Sequence, residues 1–513
     1  MTDLPVGRSN AVTEGLIALG LGVVTVLSRL PFISQILYHW DSVNFAFAIS
    51  EFNLQKEQPH PPGYLLYVLL SRLVNLLFDN PNSSMVAISI LSSGLAAAFL
   101  YLLASAIFNR ATGIASSLFL ITSPLFWFYG EIALPHSLDA FLVITCALLL
   151  YAAQKNPTAG YWAAGLNAAA GGFRPQTLVF LLPLVLYTVL RYQRAQIFRW
   201  AAIGILVCLA WFIPLITLSG GLRSYMSILG QFSDRFQSST SIFSGAGLQG
   251  LVRNSSKLAL YTAYGLSFCG LGLIGLLIRV RGIAKQYWSQ VLFLLIWMVP
   301  VGLYYLLVHM GQQGLVFVFL PALIVLSGFG WVSIFSDKRN AWMISLGLIC
   351  ALNASVFLLL PEYPLGKGQQ RFLTRDTIVQ NDHFFLQRIS ALQEHSEDSH
   401  IAVISTNWRH LQFYLPGIPL IGVEPEQKWE ASSGLLLLKK EEPLRSLDWL
   451  SGLSQSEDSI QLFVADLNPK SLFTFEIPAE SYKISEKSDM QVVEFFQPVK
   501  FALHYNRITI TQP

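Results

Sequence analysis

His39–Gly63 reads HWDSVNFAFAISEFNLQKEQPHPPG, and the fold turns on this stretch. It follows the first long apolar run and gathers His39, Trp40, Asp41, Glu51, Glu57 and His60 in a chain otherwise poor in polar groups. Pro31 stands just before it, and Pro59, Pro61 and Pro62 fall inside it. No helix continues through His60-Pro61-Pro62-Gly63, because proline lacks an N–H and its ring clashes with the preceding turn. The stretch is expected to be a polar, partly ordered loop on an apolar domain, holding a catalytic carboxylate.

The surroundings of that loop decide the class. Of 513 residues, 53% are hydrophobic and only 12% charged, with a mean hydropathy of +0.51. A soluble protein has about 25% charged residues, so much of this surface must face lipid. A net charge of +3 is too small for a nucleic-acid partner. Cys146, Cys208, Cys269 and Cys350 all lie in apolar runs and read as packing residues, not a disulfide framework. No small-residue cleavage site follows Gly15–Leu27, so that run is expected to be a retained helix.

Apolar runs of spanning length fall at about 14–34, 84–108, 111–129, 132–153, 159–172, 176–191, 200–218, 257–279, 289–308, 313–335 and 341–360. Gly63–Phe78 is shorter, with Ser71, Arg72 and Asn75 on one helical face. Charge decides its placement. If it lies flat, the loops at Asn109-Arg110, Lys155, Arg191/Arg194/Arg199, Arg279/Arg281/Lys285 and Lys338/Arg339 share one side, which the positive-inside rule makes cytoplasmic. The outer 218–256 loop carries Arg223, Arg235 and Arg253 with Lys257 just after, but the rule weakens for long loops. The expectation is eleven spans, an interfacial amphipathic helix at 63–78 in the first outer loop, and a multi-pass protein of the cytoplasmic membrane.

After Pro361 charges return, a helical pattern covers about 376–394, and short β-like runs follow at Ile401–Ser405, Gly434–Leu438, Gln461–Ala465 and Val492–Phe496. Two domains are expected: a transmembrane domain over 1–360 and a small extracytoplasmic α/β domain over 361–513.

Several outer-loop residues carry candidate chemistry. Asp41 reads either as a helix cap, for a helix beginning at Ser42, or as a base in a membrane-surface cleft. Glu131 ends a loop in FWFYGEIALPHSLDAF, where His136 and Asp139 open the next helix and Asp139 falls at lipid depth. Arg174, in GGFRPQT, stands at a helix N-terminus, where its charge opposes the macrodipole; a phosphate or a protein carboxylate would compensate it. His309 and Gln312-Gln313 form the hairpin VHMGQQG, read as a tight headgroup-zone turn or as a phosphate or sugar contact. Arg29, near the outer end of the first span, reads as a snorkelling side chain or a phosphate contact. There is no Walker A pattern, no HExxH and no cysteine–metal spacing.

In this order, Trp40-Asp41, HPPG at 60–63 before an interfacial helix, GE at 130–131, GFRP at 172–175 and HMGQQG at 309–314 resemble the GT-C membrane glycosyltransferases. The closest likeness is to the protein O-mannosyltransferase-like bacterial proteins of glycosyltransferase family 39, over roughly residues 10–335. That resemblance implies transfer of a sugar from a polyprenyl-phosphate donor to a hydroxyl on a lipid, glycan or protein acceptor, as part of cell-envelope chemistry. It maps the catalytic acid onto Asp41. The mannosyltransferases commonly follow this acid with Glu, and here Ser42 stands in that place. Substrate contacts are then expected from Glu131, His60, Arg174, His309, Gln312 and Arg29. Glu131 would orient the acceptor or bind a divalent cation, though nothing in the sequence requires a cofactor. The rival readings are a transporter or flippase of lipid-linked sugars and a GT-C scaffold without chemistry. The first is disfavoured by the scarcity of mid-span charges and of internal pseudo-symmetry.

Overall fold

The protein is described by a computed structural model covering residues 11–335, 339–364, 371–395, 400–423, 435–438, 445–446, 448–453, 459–504 and 507–513. Lys338, of the last loop expected to be cytoplasmic, lies outside these described residues, as does Gly434. The chain divides into two compact units, Met1–Val379 and Gln380–Pro513.

The first unit is helical, a polytopic membrane fold. Every expected span falls on helix, and three of them, at 111–129, 176–191 and 257–279, are each broken into two α-helical pieces. Among the described residues seven helices are long and apolar enough to cross a bilayer by length and composition. In chain order the helices are α1 (Ala11–Arg29), α2 (Trp40–Ser50), α3 (Leu65–Phe78), α4 (Pro81–Ile107), α5 (Arg110–Thr122), α6 (Pro124–Tyr129), α7 (His136–Ala153), α8 (Pro157–Phe173), α9 (Pro175–Phe180), α10 (Leu182–Val189) and α11 (Arg194–Leu218). They continue with α12 (Leu222–Gln237), α13 (Gly247–Leu266), α14 (Leu271–Ile278), α15 (Val280–Gln286), α16 (Trp288–Leu307), α17 (Leu320–Ile334) and α18 (Arg339–Leu359).

Helix α4 is the hub. Its buried Ser89, Ser92, Ser93, Gly94, Ala96, Ala97 and Ala104 let α1, α5 and α7 approach closely, the way helices associate where lipid removes the hydrophobic drive. Asn80 caps it by accepting from Ser83 N, and Pro81 occupies the first turn, where a missing N–H costs nothing.

Helix α3 is the expected interfacial segment. Fourteen residues span about 21 Å at 1.5 Å each, short of a hydrocarbon core of about 30 Å. Leu69, Leu73, Leu76 and Leu77 are exposed along one side while Leu65, Tyr67, Val68 and Ser71 are buried. Arg72 explains its attachment: Nε and Nη2 donate to Ile49 O and Ala48 O, 2.8 Å each, and so satisfy free carbonyls at the end of α2.

Two expectations need correction. The connection after Leu218, expected to be an outer loop, is not a loop up to Ser256. It folds as α12 and then α13, which begins ten residues before the expected span, at Gly247. In α12, Tyr225, Ile228, Leu229 and Phe232 recur at helical spacing and pack inward or against the loop described below. Helix α9–α10 breaks at Leu181 instead of running unbroken through 176–191, because Pro183 removes an N–H from the ladder.

The second unit is α/β. Helix α19 (Arg375–Gln393) runs across the division, and the two-residue strands β1 (Tyr363–Pro364) and β2 (Arg371–Phe372) precede it. The strands that follow are β3 (Ile401–Ser405), β4 (Leu420–Val423), β5 (Leu435–Leu438), β6 (Arg445–Ser446), β7 (Ile460–Val464), β8 (Phe473–Glu476), β9 (Tyr482–Lys487), β10 (Met490–Phe495), β11 (Lys500–His504) and β12 (Arg507–Thr511). One sheet has the order β5-β4-β3-β7-β10-β9, parallel from β5 to β7 and antiparallel beyond, and a second has the order β6-β11-β12-β8. Ile404, Leu462, Val464, Val493 and Phe495 from the first share a core with Phe501, Ile508 and Ile510 from the second.

Candidate functional site

The site is built on the loop that opened the sequence. Helix α2 begins at Trp40, and its cap is His39, not Asp41. His39 Nδ1 accepts the Asp41 backbone N–H at 3.0 Å, and Ser42 Oγ accepts from His39 N at 3.3 Å. The expected capping role for Asp41 is thereby filled by its neighbour, which leaves the Asp41 carboxylate free to face inward.

Beyond α2 the chain turns back through Pro59–Gly63. Gly63 has φ +118°, and a Cβ there would stand 2.7 Å from Leu215 Cδ1, so only glycine fits. The turn delivers His60, whose ring packs on Phe45 and Tyr64 at 5.2 and 4.9 Å and stacks on Phe232 of α12 at 6.2 Å. Helix α12 covers this loop: Tyr225 donates to Pro62 O at 3.1 Å, and Arg235 pairs with Glu57 at 2.6 Å.

Asp41 retains 21% side-chain exposure. Gln312 Nε2 donates closely to its Oδ2. His60 Nδ1 stands 3.5 Å from Oδ1 and His39 Nδ1 3.5 Å from Oδ2, the outer limit of polar contact. No lysine or arginine among the described residues pairs with it. Burial pushes the carboxyl up, but His60, His39 and the Gln312 donor outweigh it, so the group is held below the usual carboxylate range. It is a carboxylate at neutral pH, gripped by the Gln312 amide.

Gln312 is fixed in turn. Its Oε1 lies 3.0 Å from His136 Nε2, at the start of α7. The turn that carries Gln312 is clamped to α13 by Asn254, which accepts from Met310 N at 3.2 Å and donates to Leu306 O at 3.2 Å and Thr240 O at 2.9 Å. His309 on the same turn meets Thr240 Oγ1 at 3.1 Å. Burial, with Lys257 and Arg253 nearby, lowers its imidazole to about 4, so it is neutral. Lys257 Nζ reaches Gly311 O at 3.5 Å. Among the described residues, no carboxylate pairs with Lys257 or Arg253.

The other candidates stand in different company. Arg174 Nη1 donates to Asp139 Oδ2 at 2.5 Å, and Thr177 Oγ1 donates to Oδ1 at 2.5 Å. Of the two compensations open to Arg174, the structure supplies the protein carboxylate. Arg174 is also close enough to Tyr64 and Tyr305 to act on both hydroxyls. Arg29 is fully buried, donates to Ile121 O at 2.7 Å and lies over the Trp127 ring at 4.7 Å. Glu131 is its charge neighbour, with Trp127 and Arg375, and Asp41 is not among them. Burial raises the Glu131 carboxyl well above the usual range despite Arg29.

His39, His60, Gln312 and Asp41 thus come together, His309 joins the adjoining turn, and Arg29 with Glu131 forms a separate nest. Among the described residues, no group of three or more His, Cys, Asp or Glu side chains is arranged to hold a metal ion. The sequence reading missed Asn254, the pairing of Asp139 with Arg174, and the position of Lys257 and Arg253 one helical turn apart on α13.

Residues 59–217 match the family model described as dolichyl-phosphate-mannose-protein mannosyltransferase. None of the curated proteins matches the chain. Among solved structures, ArnT from Cupriavidus metallidurans bound to undecaprenyl phosphate is similar over 94% of this chain and 97% of its own, at 11% identity and a TM-score of 0.58. The apo form of that protein covers 95% and 98%, at 12% identity and a TM-score of 0.56. The Archaeoglobus fulgidus oligosaccharyltransferase is similar over 80% of this chain and 64% of its own, at 12% identity and a TM-score of 0.47.

Proposed function

We propose that this chain, which has the GT-C-like polytopic membrane fold, is a glycosyltransferase that moves a sugar from a polyprenyl-phosphate donor to an acceptor hydroxyl. The observation that carries the reading is the state of Asp41. It is a partly exposed carboxylate held by the Gln312 amide, with His60 and His39 at 3.5 Å, and no lysine or arginine among the described residues pairs with it. Lys257 reaches Gly311 O, one residue from Gln312, and Arg253 acts on His309 of the same turn; no carboxylate among the described residues pairs with either cation.

The reaction is a single displacement. The acceptor oxygen attacks the anomeric carbon, the bond from that carbon to the phosphate oxygen breaks, and the anomeric configuration inverts. The acceptor proton passes to Asp41. A carboxylate is a weak base toward a ground-state alcohol, but the proton moves late, when the oxygen has become acidic. The polyprenyl phosphate leaves with the bonding electrons. Lys257 and Arg253, with the neutral His309 ring beside them, receive that growing charge. His60 lines the sugar side, Gln312 holds the Asp41 carboxylate, and Arg174, paired with Asp139, supports the wall beside them. Arg29 and Glu131 hold the loop behind the site, without contact with reacting atoms. The match to a mannosyltransferase model and the likeness to a fold that binds undecaprenyl phosphate elsewhere support a lipid-linked donor.

The site is placed on the outer face of the cytoplasmic membrane, with the second unit also extracytoplasmic. Incubating the purified protein with a labelled polyprenyl-phosphate sugar and candidate hydroxyl acceptors tests the activity. Transfer is expected; binding of the donor with no transfer to lipid, glycan or peptide acceptors would favour a scaffold or carrier. For the sidedness, a cysteine at position 80 should react with an impermeant thiol reagent from outside and one at 283 should not. The reverse pattern would move the site to the cytoplasm.

A further inference from the structure

We propose that His136 and Gln312 form a positioning pair that holds the Asp41 carboxylate with Oδ1 turned toward the acceptor. This rests on the reading of Asp41 as the base.

The argument begins with the amide. A glutamine side chain has two ends, and only the NH2 end is attracted to a carboxylate. The opposite orientation would set the amide oxygen against Oδ2, acceptor against acceptor. Something must therefore hold the carbonyl end in place, and that group is His136 Nε2, 3.0 Å from Gln312 Oε1. This contact requires the proton to be on Nε2. His136 Nδ1 is buried without a hydrogen-bond partner, as a bare nitrogen in that tautomer would be.

The ring itself has little freedom. It is 7% exposed and stands edge-on to Tyr129 at 4.8 Å. Behind it lies Gly314, where a Cβ would stand 2.5 Å from His136 Cγ. Glycine at the end of HMGQQG is thus explained by the room it gives this ring. The turn supplies both the amide that grips Asp41 and the space for the histidine that orients the amide.

The other neighbours cannot do the same work. His39 Nδ1 already accepts the backbone N–H of Asp41, so it has no proton to give the carboxylate. His60 Nδ1 is 3.5 Å from Oδ1, too long for a strong hydrogen bond. With Oδ2 pinned by Gln312, Oδ1 remains for the incoming hydroxyl. The titratable groups that face Asp41 are His39, His60 and His136, with the Tyr64 and Tyr129 hydroxyls further out. Loss of the Gln312 donor leaves burial opposed by histidines alone, so the acid limb of activity should move toward neutral.

The test compares pH profiles of sugar transfer for the purified wild type, His136→Phe, His136→Gln, Gln312→Met and Asp41→Asn. Phenylalanine keeps the ring against Tyr129 and Gly314 but cannot donate; glutamine restores a donor close to the position of Nε2. His136→Phe and Gln312→Met should lose about 10- to 100-fold in kcat, the range for a hydrogen bond to a charged group. Their acid limbs should rise, and KM for the donor should stay within about twofold. His136→Gln should recover the wild-type limb and most of the rate. Unmoved acid limbs in His136→Phe and Gln312→Met, or equal losses in His136→Phe and His136→Gln, would overturn the positioning role. Undiminished transfer by Asp41→Asn would overturn the base itself. Lost transfer in Asp41→Asn with a wild-type profile in His136→Phe would overturn the pair alone.

Discussion

Asp41 and Asp139 are both acids on the first turn of a helix in a membrane protein, and their surroundings differ in one respect. Asp139 has a guanidinium and a hydroxyl at 2.5 Å. Asp41 has an amide donor and two imidazoles, and no lysine or arginine among the described residues. An acid paired with arginine and a hydroxyl has its lone pairs committed. An acid gripped at one oxygen by an amide keeps its other oxygen open to an incoming hydroxyl. The contrast separates an acid that holds helices together from one that can do chemistry, although both look alike as single letters in an apolar chain.

The largest effect should come from breaking the first of these arrangements. Arg174→Gln leaves Asp139 buried and uncompensated, a change that costs about 3–5 kcal/mol. Melting or denaturant unfolding of the detergent-solubilised protein should show it, and adding Asp139→Leu should recover most of the loss. If Arg174→Gln leaves stability intact and raises KM for the donor instead, this arginine serves the substrate and not the fold.

A smaller effect is expected at the cation pair. Lys257→Met or Arg253→Met should weaken donor binding about 10- to 100-fold, as loss of one charge-assisted contact implies, without altering stability. Binding of the polyprenyl phosphate itself, measured without acceptor, checks this. Unchanged binding in both variants would move the phosphate seat elsewhere.

The smallest effect should be at Glu131, in its nest with Arg29. Transfer by Glu131→Gln should stay within about threefold of wild type. Stability should respond in a defined direction. Because the folded protein raises this carboxyl above its unfolded value, its contribution is present below the ordinary carboxylate range and is lost as pH rises through the raised one. Glu131→Gln should remove that alkaline decline in melting temperature. A large loss of transfer would bring Glu131 back to the substrate.

Much of the membrane architecture was legible because lipid leaves few alternatives: long apolar runs become helices, and a short one with a polar stripe, Gly63–Phe78, becomes a helix too short to join them as a span. The loop at His39–Gly63 was legible for its prolines and its unusual polarity. Helix α12 was missed, although Tyr225, Ile228, Leu229, Phe232 and Phe236 carry its period. Arg223, Asp234 and Arg235 lower its hydropathy, and the reading looked for apolar runs instead of periodicity. The site's closest contacts were beyond reach for another reason. Gln312 meets Asp41 across 271 positions and Arg174 meets Asp139 across 35. No local pattern announces such pairs, and only packing of α7, α8 and the 309–314 turn creates them.

The central claim is that Asp41 is the base. The direct measurement is transfer from a labelled polyprenyl-phosphate sugar by purified Asp41→Asn, with donor binding and melting followed on the same sample. Asparagine nearly preserves the shape, and His39, not residue 41, caps α2, so folding and donor binding should be unchanged. Transfer should fall at least about 100-fold, the lower end of general-base contributions. Transfer at the wild-type rate by a stable, donor-binding Asp41→Asn protein would contradict the account.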